Sequence, residues 1–134
     1  MIFGQQWRAA LYKRLSKDDP EAGESVSIQT QGILGNQWAT EHKISIVKEY
    51  TDDGWSGTNF DRPGFQEMME DIKSGRINMV IVKDLSRFGR NPAQTGYYIE
   101  ELYEELGVRF VAFEDQVDTL QSFDIDQAID SNMM

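Results

Sequence analysis

A mainly parallel α/β sheet flanked by helices is the fold class this sequence predicts, and three observations carry it. Short apolar runs alternate with longer amphipathic stretches along the chain, the pattern of repeated strand, helix, strand units. Met79-Val80-Ile81-Val82 is an unbroken apolar run, as expected of a strand covered on both faces. The 134 residues are 40% apolar and 27% charged, which suits one globular domain over 1–134 and excludes collagen-like, coiled-coil and disordered chains.

Each element follows from local pattern. Ala9-Ala10-Leu11-Tyr12 with Leu15 reads as the first strand, and residues 16–24, with Pro20 and Gly23, as a polar loop. Ser25 or Ser27 caps a helix running to about His42, with Ile28, Leu34 and Trp38 as its inner stripe. Residues 44–50 form the second strand. Residues 51–62 hold Gly54, Gly57 and Asn59 and read as a long loop, of the length at which function is suspected. Pro63 suits the first turn of a helix with Phe65, Met68, Met69 and Ile72 at helical spacing, and Gly75 follows its end. After the buried strand come the loop 83–92 and a helix to Leu106 with Ile99, Leu102 and Leu106 inside, closed by Gly107. Residues 108–113 form strand four. Beyond Asp118, the residues Phe123, Ile125, Ala128 and Ile129 read as the first turns of a further helix, too short to stand alone. In such a sheet ligand sites lie past the carboxyl ends of the strands.

Composition removes many kinds of chemistry. With no cysteine and a single histidine, His42 in a polar stretch, the chain has no thiol nucleophile, disulfide, thiolate metal site or imidazole cluster, so no metal or cofactor is expected. No apolar run approaches the roughly 20 residues of a membrane span, and the first residues lack a basic segment leading into an apolar one. The expectation is a soluble, cytoplasmic protein. A formal charge of −10 opposes binding to nucleic acid, but it is unevenly spread. Residues 1–91 carry 12 basic and 13 acidic side chains, whereas residues 92–134 carry Arg109 against ten carboxylates. A local cationic pocket in the first two-thirds is compatible with the total.

Three strand-end segments concentrate cations and hydroxyls: Tyr12-Lys13-Arg14-Leu15-Ser16, Asp61-Arg62 and Lys83-Asp84-Leu85-Ser86-Arg87-Phe88-Gly89-Arg90. Residues two apart in a strand share a face, so Tyr12, Arg14 and Ser16 point one way and Lys13 and Leu15 the other. Arg87 and Arg90 meet on one side if their segment makes a helical turn. Converging, these loops would set one serine against several guanidiniums. Such a site suits a phosphodiester, whose equatorial oxygens gain charge under attack and are matched by bidentate arginine forks.

These residues resemble a known family. Tyr12-x-Arg14-x-Ser16, then Ser25-Val26-Ser27-Ile28-Gln29, Asp52-Asp53-Gly54-Trp55-Ser56-Gly57 with Asp61-Arg62-Pro63-Gly64, and Val82-Lys83-Asp84-Leu85-Ser86-Arg87-Phe88-Gly89-Arg90 are similar to the catalytic domain of the serine recombinases, the resolvases and invertases. The likeness covers about 7–118, in the right order, and is strongest to the large members on transposons and integrative elements. It implies that Ser16 is the nucleophile joined to a DNA 5′ phosphate, freeing a 3′ hydroxyl. It also implies that Arg14, Arg62, Arg87 and Arg90 surround the scissile phosphate, with Gln29 near them, Asp52 in the loop after strand two, and Tyr12, Lys83 and Ser86 in support. Trapping the phosphoryl bond on serine lets rejoining proceed without ATP or metal. Further implications are DNA as partner, a homodimer and tetramer in the full-length protein, and a bacterial cytoplasmic setting. Residues 119–134 would begin the helix of the dimer interface, with DNA-binding domains outside this chain. Many small resolvases have an aspartate where this chain has Ser86. The main alternative is a non-catalytic regulatory or receiver-like module using Asp52, Asp53 and Lys83; it leaves Ser16 and the four arginines without a task.

Overall fold

The structure is a computed structural model describing residues 6–16 and 27–120. Strands β1 (Arg8–Leu15), β2 (Ser45–Asp53), β3 (Met79–Val82), β4 (Arg109–Ala112) and β5 (Val117–Asp118) form a single sheet in the order β2-β1-β3-β4-β5. All pairings are parallel except β4 with β5, a short antiparallel edge strand that the sequence pattern did not predict. A bidentate ion pair from Arg109 to Asp118, at 3.0 and 2.7 Å, ties that edge down.

Helices cover both faces. α1 (Ile28–Glu41) lies against Ala9, Leu11, Met79, Ile81 and Val111. α2 (Pro63–Lys73) and the helical segment from residue 92 to 106 close the larger core of Tyr12, Phe65, Met68, Val80, Phe88, Ile99, Tyr103 and Phe110. β3 is buried at every residue, as its apolar run requires. The buried residues of α2 are those its spacing predicts, Phe65, Met68, Met69 and Ile72.

Two helices turn a different face inward. On α1 the buried residues are Gln31, Gly35 and Ala39, while the expected stripe of Ile28, Leu34 and Trp38 sits half-buried at its flank. Small residues let this helix approach β1 closely: a Cβ at Gly35 would stand 2.5 Å from Leu11 Cδ1. The second case is the helix expected to run to Leu106. It consists of α4 (Pro92–Gly96), a π-helical stretch Tyr97–Leu102 and α5 (Tyr103–Leu106), and the expected loop before it contains a one-turn helix, α3 (Leu85–Phe88). The wider turns bury Thr95, Ile99 and Tyr103 at intervals of four and leave Leu106 42% exposed. Gly107 then ends the helix at φ 74°.

β2 departs from its expected course most usefully for the site. It extends to Asp53, beyond the expected end at Tyr50, so Asp52 is a strand residue paired with Arg14 rather than a loop residue. Its register also shifts, because Ala9 pairs with Ile46 but Ala10 pairs with Lys48, leaving Val47 as an exposed bulge. Ile46 and Tyr50 would share a face in a regular strand. The bulge sends Ile46 to the α1 side and Tyr50 and Asp52 to the α2 side, where Tyr12 lies. The helix expected from Phe123 lies outside the described residues.

Candidate active site

β1 is the switch point of the sheet: β2 lies on one side of it, while β3 and β4 continue on the other. Crevices past strand ends at such a point are where open α/β sheets bind ligands. Three segments meet there: the end of β1 with Arg14 and Ser16, the loop after β2, and the segment after β3 carrying Ser86, Arg87 and Arg90.

Arg14 is fully buried at the centre of the junction. Its guanidinium donates to three backbone carbonyls, those of Arg87 at 3.2 Å, Trp55 at 2.9 Å and Ser86 at 2.6 Å. One side chain thus fastens the β2 loop and α3 to β1. In return Arg87 donates from a terminal guanidinium nitrogen to the Arg14 carbonyl at 3.1 Å, two residues before Ser16. Ser16 itself is 7% exposed, immediately past β1. The loop is held on either side of Trp55: Gly54 N–H donates to Leu15 at 2.6 Å, and Arg90 N–H donates to Gly57 at 2.7 Å. At Gly57 only hydrogen fits, since a Cβ would stand 2.8 Å from an Arg14 guanidinium nitrogen and 3.1 Å from Arg90 Cγ.

Beneath the junction lies a second group. Tyr12 hydroxyl donates to Asp52 Oδ2 at 2.6 Å and accepts from Arg62 at 2.8 Å. Asp52 also receives the backbone N–H groups of Gly64 and Phe65, at 2.8 and 2.9 Å, and so caps α2 across space, where a carboxylate is favoured by the helix dipole. Arg62 is fully buried among the rings of Phe60, Phe65 and Tyr12, with its other bonds to the Phe88 and Asn59 carbonyls at 2.6 and 2.9 Å. Burial pushes the Tyr12 phenol up despite the opposing Arg62 charge, with Asp52 adding to the rise, so the hydroxyl stays protonated as a donor. Arg62 therefore braces the site from below and does not face the crevice.

The segment after β3 is organised by carboxylates. Asp84 caps α3, accepting from Arg87 N–H at 3.0 Å and from the Ser86 hydroxyl at 2.7 Å, with Arg87 Nε at 3.5 Å. Burial alone would raise the Asp84 carboxyl, but the Ser86 hydroxyl and the Lys83 ammonium outweigh it and hold it below the ordinary value. Lys83 is engaged by Asp84 at 3.0 Å and Glu114 at 2.8 Å, on the side of the turn toward β4. Asp115 accepts from Leu85 N–H at 2.7 Å, and burial keeps its carboxyl raised. The one-turn helix puts Arg87 in the buried junction but ends at Gly89, where extended backbone carries Arg90 away from the helical turn and against Gly57.

The structure thus gathers Tyr12, Arg14, Ser16, Asp52, Arg62, Ser86, Arg87 and Arg90 around the β1 end, and leaves two expected residues outside. Lys83 faces its acidic partners. Gln29 is exposed on the outer side of α1, in a surface hollow with Lys13 and Glu49. The glutamine that does reach β1 is Gln31, buried, accepting from Arg14 N–H at 3.2 Å and donating to its carbonyl at 3.0 Å. Motif order misses it because the two glutamines differ only in which face of α1 they occupy. Asp84 was missed as well; its place just before Leu85, at the start of a turn, is the signature of a helix N-cap.

This fold is that of a serine-recombinase catalytic domain. The chain belongs to the resolvase family, with residues 9–130 matching the model of the resolvase N-terminal domain. It is 32% identical over 126 residues to the Tn917 transposon resolvase of Enterococcus faecalis, an alignment covering 91% of this chain and 54% of the resolvase. The chain thus spans about half the length of that curated relative. Among solved structures it is similar to the N-terminal catalytic domain of TP901-1 integrase, with TM-score 0.79, 27% identity, and coverage of 86% of this chain and 84% of that one. A resolvase-family site-specific recombinase from Streptococcus pneumoniae gives TM-score 0.74, 30% identity, and coverage of 94% and 85%. The C-terminal catalytic domain of ISC1926 TnpA, an IS607-like serine recombinase, gives TM-score 0.64, 26% identity, and coverage of 79% and 70%. Among the described residues no helix is long and apolar enough to cross a membrane.

Proposed function

We propose that this chain cleaves and rejoins DNA through Ser16, within a larger recombinase that works as a dimer and tetramer in the bacterial cytoplasm. The observation that carries the reading is the junction at the switch point, where Arg14 and Arg87 are locked to each other's carbonyls beside the strand end that presents Ser16. Ser16 Oγ attacks phosphorus, a P–O bond to Ser16 forms, and the bond to the 3′ oxygen breaks. The serine proton leaves to solvent and the 3′ oxygen gains one. Rejoining is the reverse attack by a 3′ hydroxyl on the phosphoserine, so no phosphoanhydride is consumed and no metal is required by the atom balance. Arg87 and Arg90 act on the phosphate oxygens and are the candidates to protonate the leaving oxygen. Arg14 sets their positions, with Gln31 holding its backbone, and the Tyr12, Asp52 and Arg62 group supports it from below. Preorganised cations of this kind act mostly as charge develops in the transition state.

The test is denaturing electrophoresis of the larger recombinase that contains this chain with labelled nicked duplexes drawn from the flanks of its own element, in EDTA. The expected result is protein-linked DNA with wild type and none with Ser16→Ala. Adduct that persists in Ser16→Ala overturns the assignment, and strict dependence on Mg²⁺ overturns the mechanism.

A further inference from the structure

Trp55 is the most conspicuous residue of the junction that the reaction leaves without a task. Its carbonyl holds Arg14 at 2.9 Å, yet its side chain is 44% exposed. The other two tryptophans are engaged: Trp7 lies under the Arg109 guanidinium, and Trp38 stacks on His42 at 4.0 Å between centroids. What sets Trp55 apart is its place on the loop whose backbone holds Arg14, beside the strand end that carries Ser16.

The backbone that carries it is held firmly. Gly54 is bonded to the end of β1 and Gly57 to Arg90, so the loop is pinned one residue before Trp55 and two after it. Gly57 packs directly on Arg14 and Arg90. The backbone that presents the indole is therefore fixed to the same junction as Arg14 and Arg90. Aromatic side chains on a loop beside cationic residues are the means by which proteins hold single nucleotides, the cations on phosphate and the ring on a base. Ser56 and Thr58, hydrogen-bonded to each other at 2.9 Å, complete a polar rim on the same loop.

We infer that Trp55 is a DNA-contact residue, stacking on the base or sugar next to the cleaved phosphate and fixing which phosphate is presented to Ser16. The inference rests on the proposed reaction of Ser16 and adds a positioning site to it. The arrangement also explains why the loop is tethered through its carbonyls: Arg14 links the position of the stacking residue to that of the strand end.

Two measurements test it with the whole chain. In a Trp7→Phe/Trp38→Phe variant, Trp55 emission is followed during titration with duplex carrying 2-aminopurine at the nucleotide flanking the cut. Saturable quenching of both fluorophores is expected, at the duplex concentrations that shift the protein on a gel. In the cleavage assay Trp55→Ala should lower the rate of Ser16-linked adduct formation about tenfold, the scale of one lost base stack, and should spread cleavage over neighbouring phosphates, while Trp55→Phe keeps most of both. Adduct formed by wild type with Trp55 emission blind to DNA, or a Trp55→Ala variant with unchanged rate and cut position, overturns this inference and leaves the Ser16 reading intact. Quenching that follows protein concentration without DNA assigns the indole to a protein interface and also overturns it. Absence of any Ser16 adduct in wild type overturns the reaction itself.

Discussion

Charge at the candidate site is handled residue by residue, and the arginines divide by what their nitrogens touch. Arg62 bonds to Tyr12, Asn59 and Phe88 inside an aromatic cage, so its expected role is structural. Removing a buried, fully hydrogen-bonded charge partner costs about 3–5 kcal/mol. Arg62→Lys, which keeps the charge but loses the planar fork, should cost about 3 kcal/mol and lower the unfolding midpoint by roughly 10 °C, read by thermal circular dichroism. Arg90→Lys should behave oppositely. The side chain is half-buried, and lysine keeps both its charge and the apolar stem that lies against Gly57, so fold stability should stay within about 1 kcal/mol. Cleavage by that variant should fall about a hundredfold, because an ammonium does not reproduce bidentate phosphate contact. A full-rate Arg90→Lys enzyme would remove Arg90 from the reaction.

At the level of elements, two contacts decide geometry. α1 meets β1 at Gly35, where a methyl group would press on Leu11 Cδ1, Cδ2 and Cγ at 2.5, 2.8 and 3.2 Å. Helix propensity favours Gly35→Ala by about 1 kcal/mol, whereas overpacking costs about 1–3 kcal/mol. Because Leu11 is fully buried and touched by three atoms' worth of clash, packing prevails, and chemical denaturation should find the variant less stable. α3 is held by Asp84 and Asp115, whose carboxyls are shifted in opposite senses. The depressed Asp84 adds stability that is complete above its unfolded value, near 4, and is lost as pH falls through its lower folded value. The raised Asp115 opposes folding while ionised, and that penalty is relieved as pH falls through its raised folded value. Asp115→Asn should therefore raise the unfolding midpoint at pH 7 and Asp84→Asn should lower it, with both differences shrinking toward pH 3. Differences as large at pH 3 as at pH 7 would contradict the assignment.

For the whole molecule, the balance of charge limits the strength of the proposed contact with DNA. A total of −10, with Arg109 alone against ten carboxylates in residues 92–134, leaves few cations to replace counterions. Band-shift titration of this chain should give weak, sequence-indifferent duplex binding, with Kd about 10⁻⁵ M or weaker at physiological salt. Two or three phosphate contacts would give a logarithmic salt slope of only about −2 to −3. Tight, site-selective binding would mean that the recognition surface lies elsewhere than the strand-end crevice.

Local pattern was enough for what depends on neighbours along the chain. The run Met79–Val82, the spacing of Phe65, Met68, Met69 and Ile72, Pro63 at a helix start and Gly107 at a helix end each state their element, and the ordered motifs state the family. Those motifs also named most of the side chains that meet at the β1 end, because the carboxyl ends of strands can be located from element order, whereas the switch point at β1 needed the strand order of the folded sheet. What the sequence left undecided depends on partners distant in the chain. Asp52 reaches Tyr12 only because Val47 bulges out of β2, and a bulge breaks the period by which a strand's faces are read. Gln31 takes the place expected of Gln29 because the small residues of α1, not its large apolar ones, turn toward β1. Whether a guanidinium opens to the crevice or is consumed by carbonyls, as for Arg14 and Arg62, is settled by where the backbone of Trp55, Ser86 and Phe88 arrives in space. Composition and spacing carry hydrophobicity and local propensity; the direction of a buried hydrogen bond is a property of the folded molecule, because each buried donor must find its acceptor across elements.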